Sequence, residues 1–370
     1  MGKKLKVLLI EPFHSGSHKA WAEGLKKHSS HDISIVYHPG SFWRWRLRGS
    51  AVTLAEETQE VVIEKGAPDV VLASGMMDLA AWLGFTKRFI GDPPVVLYQH
   101  ENQLTYPVPA GESSDNSMKF VNWKNMVAAD QVWFNSNFHR SNLLDALPEL
   151  LMNVPDMSHT HRLDEVIEKT YVLPVGVELS EIKSLQDPQN PPLILWNHRW
   201  EYDKVPEAFI ASLKQLNEEG SQFTFAVTGA NTPQEAKKIQ ATFGKLSKDL
   251  VSSGFIDRNE YVDLINRTDI VVSSAIHEFF GISIVEALAA GAVPVLPKRL
   301  SYPEIVPKQW HDFAFYTDGG MTARLREILN DLKSWKNSVV GLDESMRRFD
   351  WNTVIDDYDD SLERVFENFS

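Results

Sequence analysis

The chain has 370 residues, 43% hydrophobic and 24% charged, the make-up of an ordinary globular protein long enough for two lobes. With 37 Lys and Arg against 50 Asp and Glu, its formal net charge is −13, so a broad nucleic-acid-binding surface is not expected and any such contact must be local. There is no Cys, which excludes disulfides, Cys-ligated zinc and thiol catalysis.

Basic residues at the start lead into an apolar run of only four, Val7 to Ile10, too short for a signal-peptide core or a membrane span. A cytoplasmic protein is expected. Strand then helix repeats along the first half, with strands near Lys6–Ile10, Ile33–Tyr37, Val70–Ala73, Val95–Tyr98, Gln131–Phe134 and Tyr171–Pro174. That alternation predicts an α/β fold with a parallel sheet covered on both faces. After the first strand, residues 13 to 19 form a small-residue turn opening a helix at about Ser17; Gly16, Ser17 and His18 could admit phosphate or sugar, or make a plain tight turn.

Residues 42 to 49 interleave Trp43 and Trp45 with Arg44, Arg46 and Arg48, the one conspicuous basic cluster in an acidic chain. Such a stretch suits stacking on bases and pairing with phosphates. It equally suits a half-buried strand or loop whose Arg residues pair with surface carboxylates. Residues 98 to 109 place His100, Glu101, Asn102, Gln103 and Tyr106 in a loop at a strand's carboxyl end, the setting of a polar pocket. Ser136 or Asn137 caps the next helix. His159 and His161 sit in a stretch without strong periodicity and without a carboxylate at ligand spacing, so no metal site is expected there.

The polar run Lys183 to Pro192 reads as an interlobe linker, giving a first lobe over 1–187, a second over 188–350, and a terminal amphipathic helix over 351–370 that packs back on the first lobe. The second lobe restarts the alternation at Leu193–Asn197. Arg199 and Lys204 follow that strand, where two cations can neutralise a diphosphate without metal. Strand Phe223–Thr228 ends in a tight turn, Gly229 to Asn231; a helix is expected over 234–250, and Gly254 to Ile256, with Phe255, could lie against a base. Ile270–Val272 and Val293–Leu296 are further strands. Between them Glu278 precedes, and Glu286 lies within, an Ala/Leu-rich helix, Ile282 to Ala290, stopped by Gly291. Gly281 lets backbone approach an anion at the helix start, and the two carboxylates could flank the same ligand. A diphosphate with hydroxyls on either side describes a nucleotide sugar. Asp357-Tyr358-Asp359 imitates a metal-binding Asp-x-Asp, but on an amphipathic helix it is read as coincidence.

With E-x7-E from Glu278 to Glu286 and R-x4-K from Arg199 to Lys204, the second lobe resembles retaining glycosyltransferases of family 4. The stretches I-E-P-F-H-S-G-S-H-K, W-R-W-R-L-R-G-S-A and H-E-N-Q-L-T-Y-P are similar to those of the tRNA-queuosine mannosyltransferases. The resemblance implies a GT-B architecture, two Rossmann-like lobes facing across a cleft, and transfer of mannose from GDP-mannose to queuosine in tRNA(Asp), with no metal or other cofactor. It implies that Arg199, Lys204 and the N–H groups of Phe280, Gly281 and Ile282 hold the diphosphate. Glu286 would take ribose hydroxyls, Glu278 the sugar hydroxyls, and His100 the transferred sugar. Gly16, Ser17, Gly229 and Phe255 would complete the donor site, and His18, Trp43, Arg44, Arg46, Arg48, Glu101, Asn102, Gln103 and Tyr106 the acceptor side. Two rival readings are a glycolipid or small-molecule acceptor, and a two-lobed protein that binds a nucleotide sugar without chemistry. A lipid acceptor would favour a basic, apolar amphipathic helix in the first lobe, and none is evident.

Overall fold

The computed structural model describes residues 3–108, 111, 115–184, 187–229, 237 and 240–369. The chain folds as two compact units, Met1–Val177 with Trp351–Ser370, and Glu178–Asp350. In the first, strands β1 (Lys6–His14), β2 (Asp32–Pro39), β3 (Val70–Ser74), β4 (Val95–Gln99), β5 (Gln131–Phe134) and β6 (Thr170–Val172) form one sheet in the order β2-β1-β3-β4-β5-β6. Every pairing is parallel. In the second, β7 (Leu193–Asn197), β8 (Thr224–Thr228), β9 (Leu250–Gly254), β10 (Ile270–Val272), β11 (Val293–Pro297) and β12 (Phe315–Tyr316) run β12-β11-β10-β7-β8-β9, again all parallel.

The central strands are continuous apolar runs because helices cover both their faces: V-V-L-A-S of β3, V-V-L-Y-Q of β4 and L-I-L-W-N of β7 are buried at every residue. In each sheet the strand order reverses beside the first strand, between β1 and β3 and between β7 and β10. The carboxyl-end crevices at those reversals are where such sheets bind ligands.

The terminal helix Trp351–Phe369 belongs to the first unit, as its apolar stripe predicts, burying Trp351, Val354, Ile355, Tyr358, Leu362 and Val365. Asp359 of the apparent Asp-x-Asp accepts hydrogen bonds from Ser29 Oγ at 2.6 Å and Ser30 N at 2.8 Å, ties within the fold. The Tyr358 hydroxyl is the hub of the docking: it accepts from Trp21 Nε1 at 3.0 Å and lies 3.0 Å from the Pro174 carbonyl and 3.1 Å from the Tyr98 hydroxyl. Tyr358→Phe strands buried polar partners and is expected to cost about 1–3 kcal/mol of first-lobe stability, read as a lowered urea midpoint. An unchanged midpoint would mean that apolar packing alone anchors the helix.

Three segments differ from the sequence reading. Residues 178–192, read in part as a linker, are tied into the second unit: Arg347 donates to the Leu179 carbonyl at 2.6 Å, Lys183 N to Asn266 Oδ1 at 2.9 Å and Gln189 N to Asp269. The helix expected over 234–250 ends early, in a 3-10 turn Gly244–Asp249, and the strand placed at Gly254–Ile256 runs from Leu250 to Gly254. Ala230, Asn231 and residues 232–236, 238 and 239 of those readings lie outside the described residues, as does Pro109. The Trp/Arg stretch is neither strand nor loop: Trp43–Lys65 is one helix.

Candidate active site

The loop leaving β7 and the loop leaving β10 are stitched together at the second sheet's reversal point. Ser274 Oγ donates to the Lys204 carbonyl at 2.7 Å, Trp196 Nε1 donates to Ser274 Oγ at 3.0 Å, and Ile276 N donates to the Asp203 carbonyl at 2.9 Å. Lys204, on the short turn Tyr202–Lys204, is therefore held almost wholly buried, its ammonium donating to the His277 carbonyl at 2.6 Å and to Glu278 Oε2 at 3.2 Å. Asp203, fully buried, lies 3.2 Å from the same nitrogen.

This cluster sets its own protonation. Burial raises the Glu278 carboxyl, but the Lys204 ammonium, its hydrogen bond and the neighbouring imidazoles outweigh that and hold it below the usual carboxylate range. Burial first, and Lys204 second, push His198 down to about 3 and His277 down to about 4. Both imidazoles are neutral at pH 7, so Lys204 faces Glu278 as the inner cation. Arg199, outside it, has a half-exposed side chain and pairs with Glu201 at 3.0 Å.

Beside this cluster Gly281 starts the helix Ile282–Ala289 at φ +98°, a backbone conformation that side chains disfavour, and so brings the first-turn N–H groups to the strand ends. A chain turn at that point offers donors to an anion. The Phe280 ring packs edge-on against Phe349 at 5.3 Å and its carbonyl is held by Ser301 Oγ at 2.8 Å, which leaves its contribution to the backbone. Gly229, at φ +104°, lies against the start of the β7 loop: a Cβ there would stand 2.5 Å from the His198 carbonyl oxygen. Phe255 is 79% exposed just past β9.

Glu286 is 7% exposed and both its oxygens are engaged, Oε1 by Arg258 Nη1 at 2.6 Å and Oε2 by the Tyr261 hydroxyl at 2.8 Å. Asn197, the last residue of β7, donates to Tyr261 at 3.3 Å and to the Ser283 carbonyl at 2.8 Å. Arg258 and Tyr261 are functional candidates that sequence reasoning missed. The one local signal is Asp257, which caps their helix by accepting from Glu260 N at 2.9 Å.

In the first lobe, a second polar nest forms at the carboxyl ends of β1, β4 and β5. Glu11, on β1 and fully buried, accepts from Phe13 N at 2.9 Å and lies 3.1 Å from His18 Nδ1. The His18 and His100 rings are 4.3 Å apart, and Trp21 and Tyr98 wall His100 in at 4.6 and 4.7 Å. Asn135 Nδ2 holds the His100 carbonyl at 2.9 Å. Burial, then the charges of His18 and His139, hold the His100 imidazole well below its ordinary range. Glu11 lies one residue past the strand expected over Lys6–Ile10 and was given no role of its own; among the described residues Glu11, His18 and His100 are the one group whose ligand-type atoms lie within 4.8 Å of one another, a donor set of the kind that divalent cations take. His159 instead accepts from Trp123 Nε1 at 3.0 Å.

The remaining first-lobe candidates divide. Gly16 and Ser17 are exposed at the start of the helix Gly16–His28, and Glu101, Gln103 and Tyr106 are half-buried along the loop. Asn102 is fully buried, and its Oδ1 closes the turn by accepting from Thr105 N at 2.8 Å, so that oxygen faces the loop backbone. Trp43 packs on the small cluster of Leu47, Met118 and Val121. Arg48 pairs with Asp115, Arg46 reaches the Pro39 carbonyl at 3.5 Å, and Arg44 lies 5.0 Å over the Trp43 ring.

Two parallel α/β units, with a buried Lys and a flanking Glu at the second unit's switch point, are the architecture of two-lobed glycosyltransferases. The solved structures agree on the fold: sucrose-phosphate synthase of Thermosynechococcus elongatus matches with a TM-score of 0.75 at 14% identity over 98% of this chain and 100% of that one. HepE of Anabaena, solved in complex with UDP-glucose, matches with a TM-score of 0.70 at 17% identity over 97% of this chain and 100% of that one. Residues 178–337 match the model of glycosyl transferases group 1, and residues 6–177 the N-terminal model of tRNA-queuosine alpha-mannosyltransferase. The tRNA-queuosine alpha-mannosyltransferase of Drosophila melanogaster is 34% identical over 320 residues, 83% of each chain. The chain belongs to the tRNA-queuosine alpha-mannosyltransferase family. Among the described residues no helix is long and apolar enough to cross a membrane.

Proposed function

We propose that this protein transfers mannose from GDP-mannose to the cyclopentene-diol of queuosine in tRNA(Asp), with retention of configuration, in the cytoplasm. The observation that carries the reading is the Lys204–Glu278 pair held beside the open start of the helix Ile282–Ala289. A buried cation and free N–H groups suit a diphosphate, and an adjacent carboxylate suits sugar hydroxyls. The relative's name supplies the acceptor and the sugar, and the UDP-glucose complex of HepE supports a nucleotide-sugar donor.

In this reading Arg199, Lys204 and the backbone of Phe280 to Ile282 bind the diphosphate and stabilise the charge that grows as the sugar–phosphate bond breaks. As the family resemblance implies, the leaving diphosphate takes the acceptor hydroxyl's proton while the new bond forms on the same face, so no protein nucleophile is needed. Glu278 orients the sugar, Glu286 the ribose, and His100 is assigned to the transferred sugar. In this reading Arg199 and Lys204, not a metal, neutralise the diphosphate, and transfer is expected to survive EDTA; strict dependence on a divalent ion would move the charge-neutralising role away from Arg199 and Lys204.

Arg258 and Tyr261 fix the Glu286 carboxylate, and a ribose contact is about equally strong in ground and transition states. Tyr261→Phe is accordingly expected to raise the donor KM about tenfold with kcat nearly unchanged. A matching fall in kcat would place Glu286 at the reacting bond instead. A non-catalytic binding protein is separated by one assay: incubation with GDP-mannose should release GDP slowly, which a binding module cannot do.

A further inference from the structure

Two large aromatic side chains of the first lobe stand in solvent one helical turn apart: Phe42 is 79% exposed and Trp45 63%. Phe42 caps the helix Trp43–Lys65 in the left-handed region, at φ 54° and ψ 48°, where a bulky residue is an outlier. Strain of this kind persists only where the surrounding structure holds it, and such outliers collect at binding sites; here the ring is exposed. Trp45 is laid down rather than extended. A Cβ on Gly49 would meet the adjacent ring atoms Cζ2, Cη2 and Cε2 at 2.7, 2.8 and 2.9 Å, near-equal distances that put one face of the indole against the bare glycine backbone. The rest of the side chain is open to solvent, Trp45 being 63% exposed.

Cations line the same segment. Arg44 is exposed beside the Trp43 ring and Arg48 is anchored by Asp115, so each guanidinium is held near the helix start. In a chain of net charge −13 this concentration of Arg with exposed aromatic rings fits a polyanion that also carries flat apolar faces. Single-stranded nucleic acid has that chemistry. Trp43, which the sequence reading grouped with the stacking residues, packs instead on Leu47, Met118 and Val121.

The location bears on how far the contacted base lies from the one modified. Phe42 follows the carboxyl end of β2, and His100 that of β4, three strands along in the order β2-β1-β3-β4. At about 4.8 Å between strands, the two loops lie about 14 Å apart along one sheet edge. Successive stacked bases advance only about 3.4 Å along a strand.

We propose that Phe42 and Trp45 form a stacking platform for an unpaired nucleobase of the acceptor, several nucleotides from the one modified. This rests on the tRNA acceptor reading above. Stacking is tolerant of base identity and carries little salt dependence of its own, whereas each Arg–phosphate contact adds about 0.7–0.9 to the logarithmic salt slope.

The test measures binding of queuosine-containing tRNA by the full chain at two salt concentrations, with thermal stability in parallel. Phe42→Ala and Trp45→Ala are each expected to weaken binding about tenfold at both salts, with an unchanged slope and an undiminished melting temperature. Trp45→Phe should restore most of the loss. The triple variant Arg44→Ser, Arg46→Ser, Arg48→Ser should instead flatten the slope. Wild-type affinity in a stable Phe42→Ala/Trp45→Ala double variant overturns the platform while leaving the acceptor reading intact. Failure of the wild-type protein to bind tRNA at all overturns the acceptor reading and the platform with it, and a lowered melting temperature with both affinities lost would make these side chains braces of the fold.

Discussion

Arg199→Ala is expected to cut transfer about 100-fold with thermal stability unchanged, and Lys204→Ala to cut it further while lowering stability. Both cations are assigned to the diphosphate, whose charge grows in the transition state, so each loss falls on turnover. The two sites differ in what remains behind. Arg199 is half exposed and its partner Glu201 simply returns to water. Lys204 is buried between the Asp203 and Glu278 carboxylates at 3.2 Å from each, and removing it leaves two charges with no counterion, a loss of order 3–5 kcal/mol. Lys204→Met, which keeps the volume of the side chain, should share the stability loss, because the defect is electrical rather than a cavity. Near-native turnover in both single variants would contradict the diphosphate assignment.

The second large effect is expected from the carboxylates, and it should separate them. Glu278→Gln is expected to lower kcat about 100-fold with a small change in donor KM, and Glu286→Gln to raise donor KM with kcat nearly kept. Glu278 is the carboxylate beside the inner cation, and the environment that holds its carboxyl below the usual range keeps it an acceptor for sugar hydroxyls through the neutral range. Its folded carboxyl is depressed, so the stability it contributes is present above the unfolded carboxylate pKa and is lost as pH falls through the folded one. Glu286 is fixed by Arg258 and Tyr261, away from Lys204's partners, which suits a contact that is the same before and during reaction. Identical losses in both parameters for both variants would erase the distinction.

The alternation of apolar runs with helical stretches was enough to read most of the strands and the docking of the last helix, because β3, β4 and β7 are buried on both faces and Trp351, Val354, Tyr358, Leu362 and Val365 keep one helical stripe. Glu278, Glu286, Arg199 and Lys204 were legible because each lies beside or within a helix start next to a strand end. Arg258 was not, since it meets Glu286 across 28 residues of chain and no spacing announces such a contact. Glu11 lies just past the strand expected over Lys6–Ile10, and nothing in its neighbours along the chain announces a role until the strand runs on to His14 and His18 folds back on it. The helix Trp43–Lys65 was missed at its start because its cap is a strained Phe rather than Ser, Thr, Asp or Asn. The linker reading failed because Arg347, Asn266 and Asp269, distant in sequence, satisfy backbone groups of Leu179, Ile182, Lys183 and Gln189.

The most direct test is mass spectrometry of queuosine-containing tRNA(Asp) after incubation with this protein and GDP-mannose. The account predicts a mass gain of one hexose on the queuosine nucleoside, lost with Lys204→Ala and retained in EDTA. Release of GDP with no hexose on the nucleoside, or hexose transfer only from another nucleotide sugar, would contradict it.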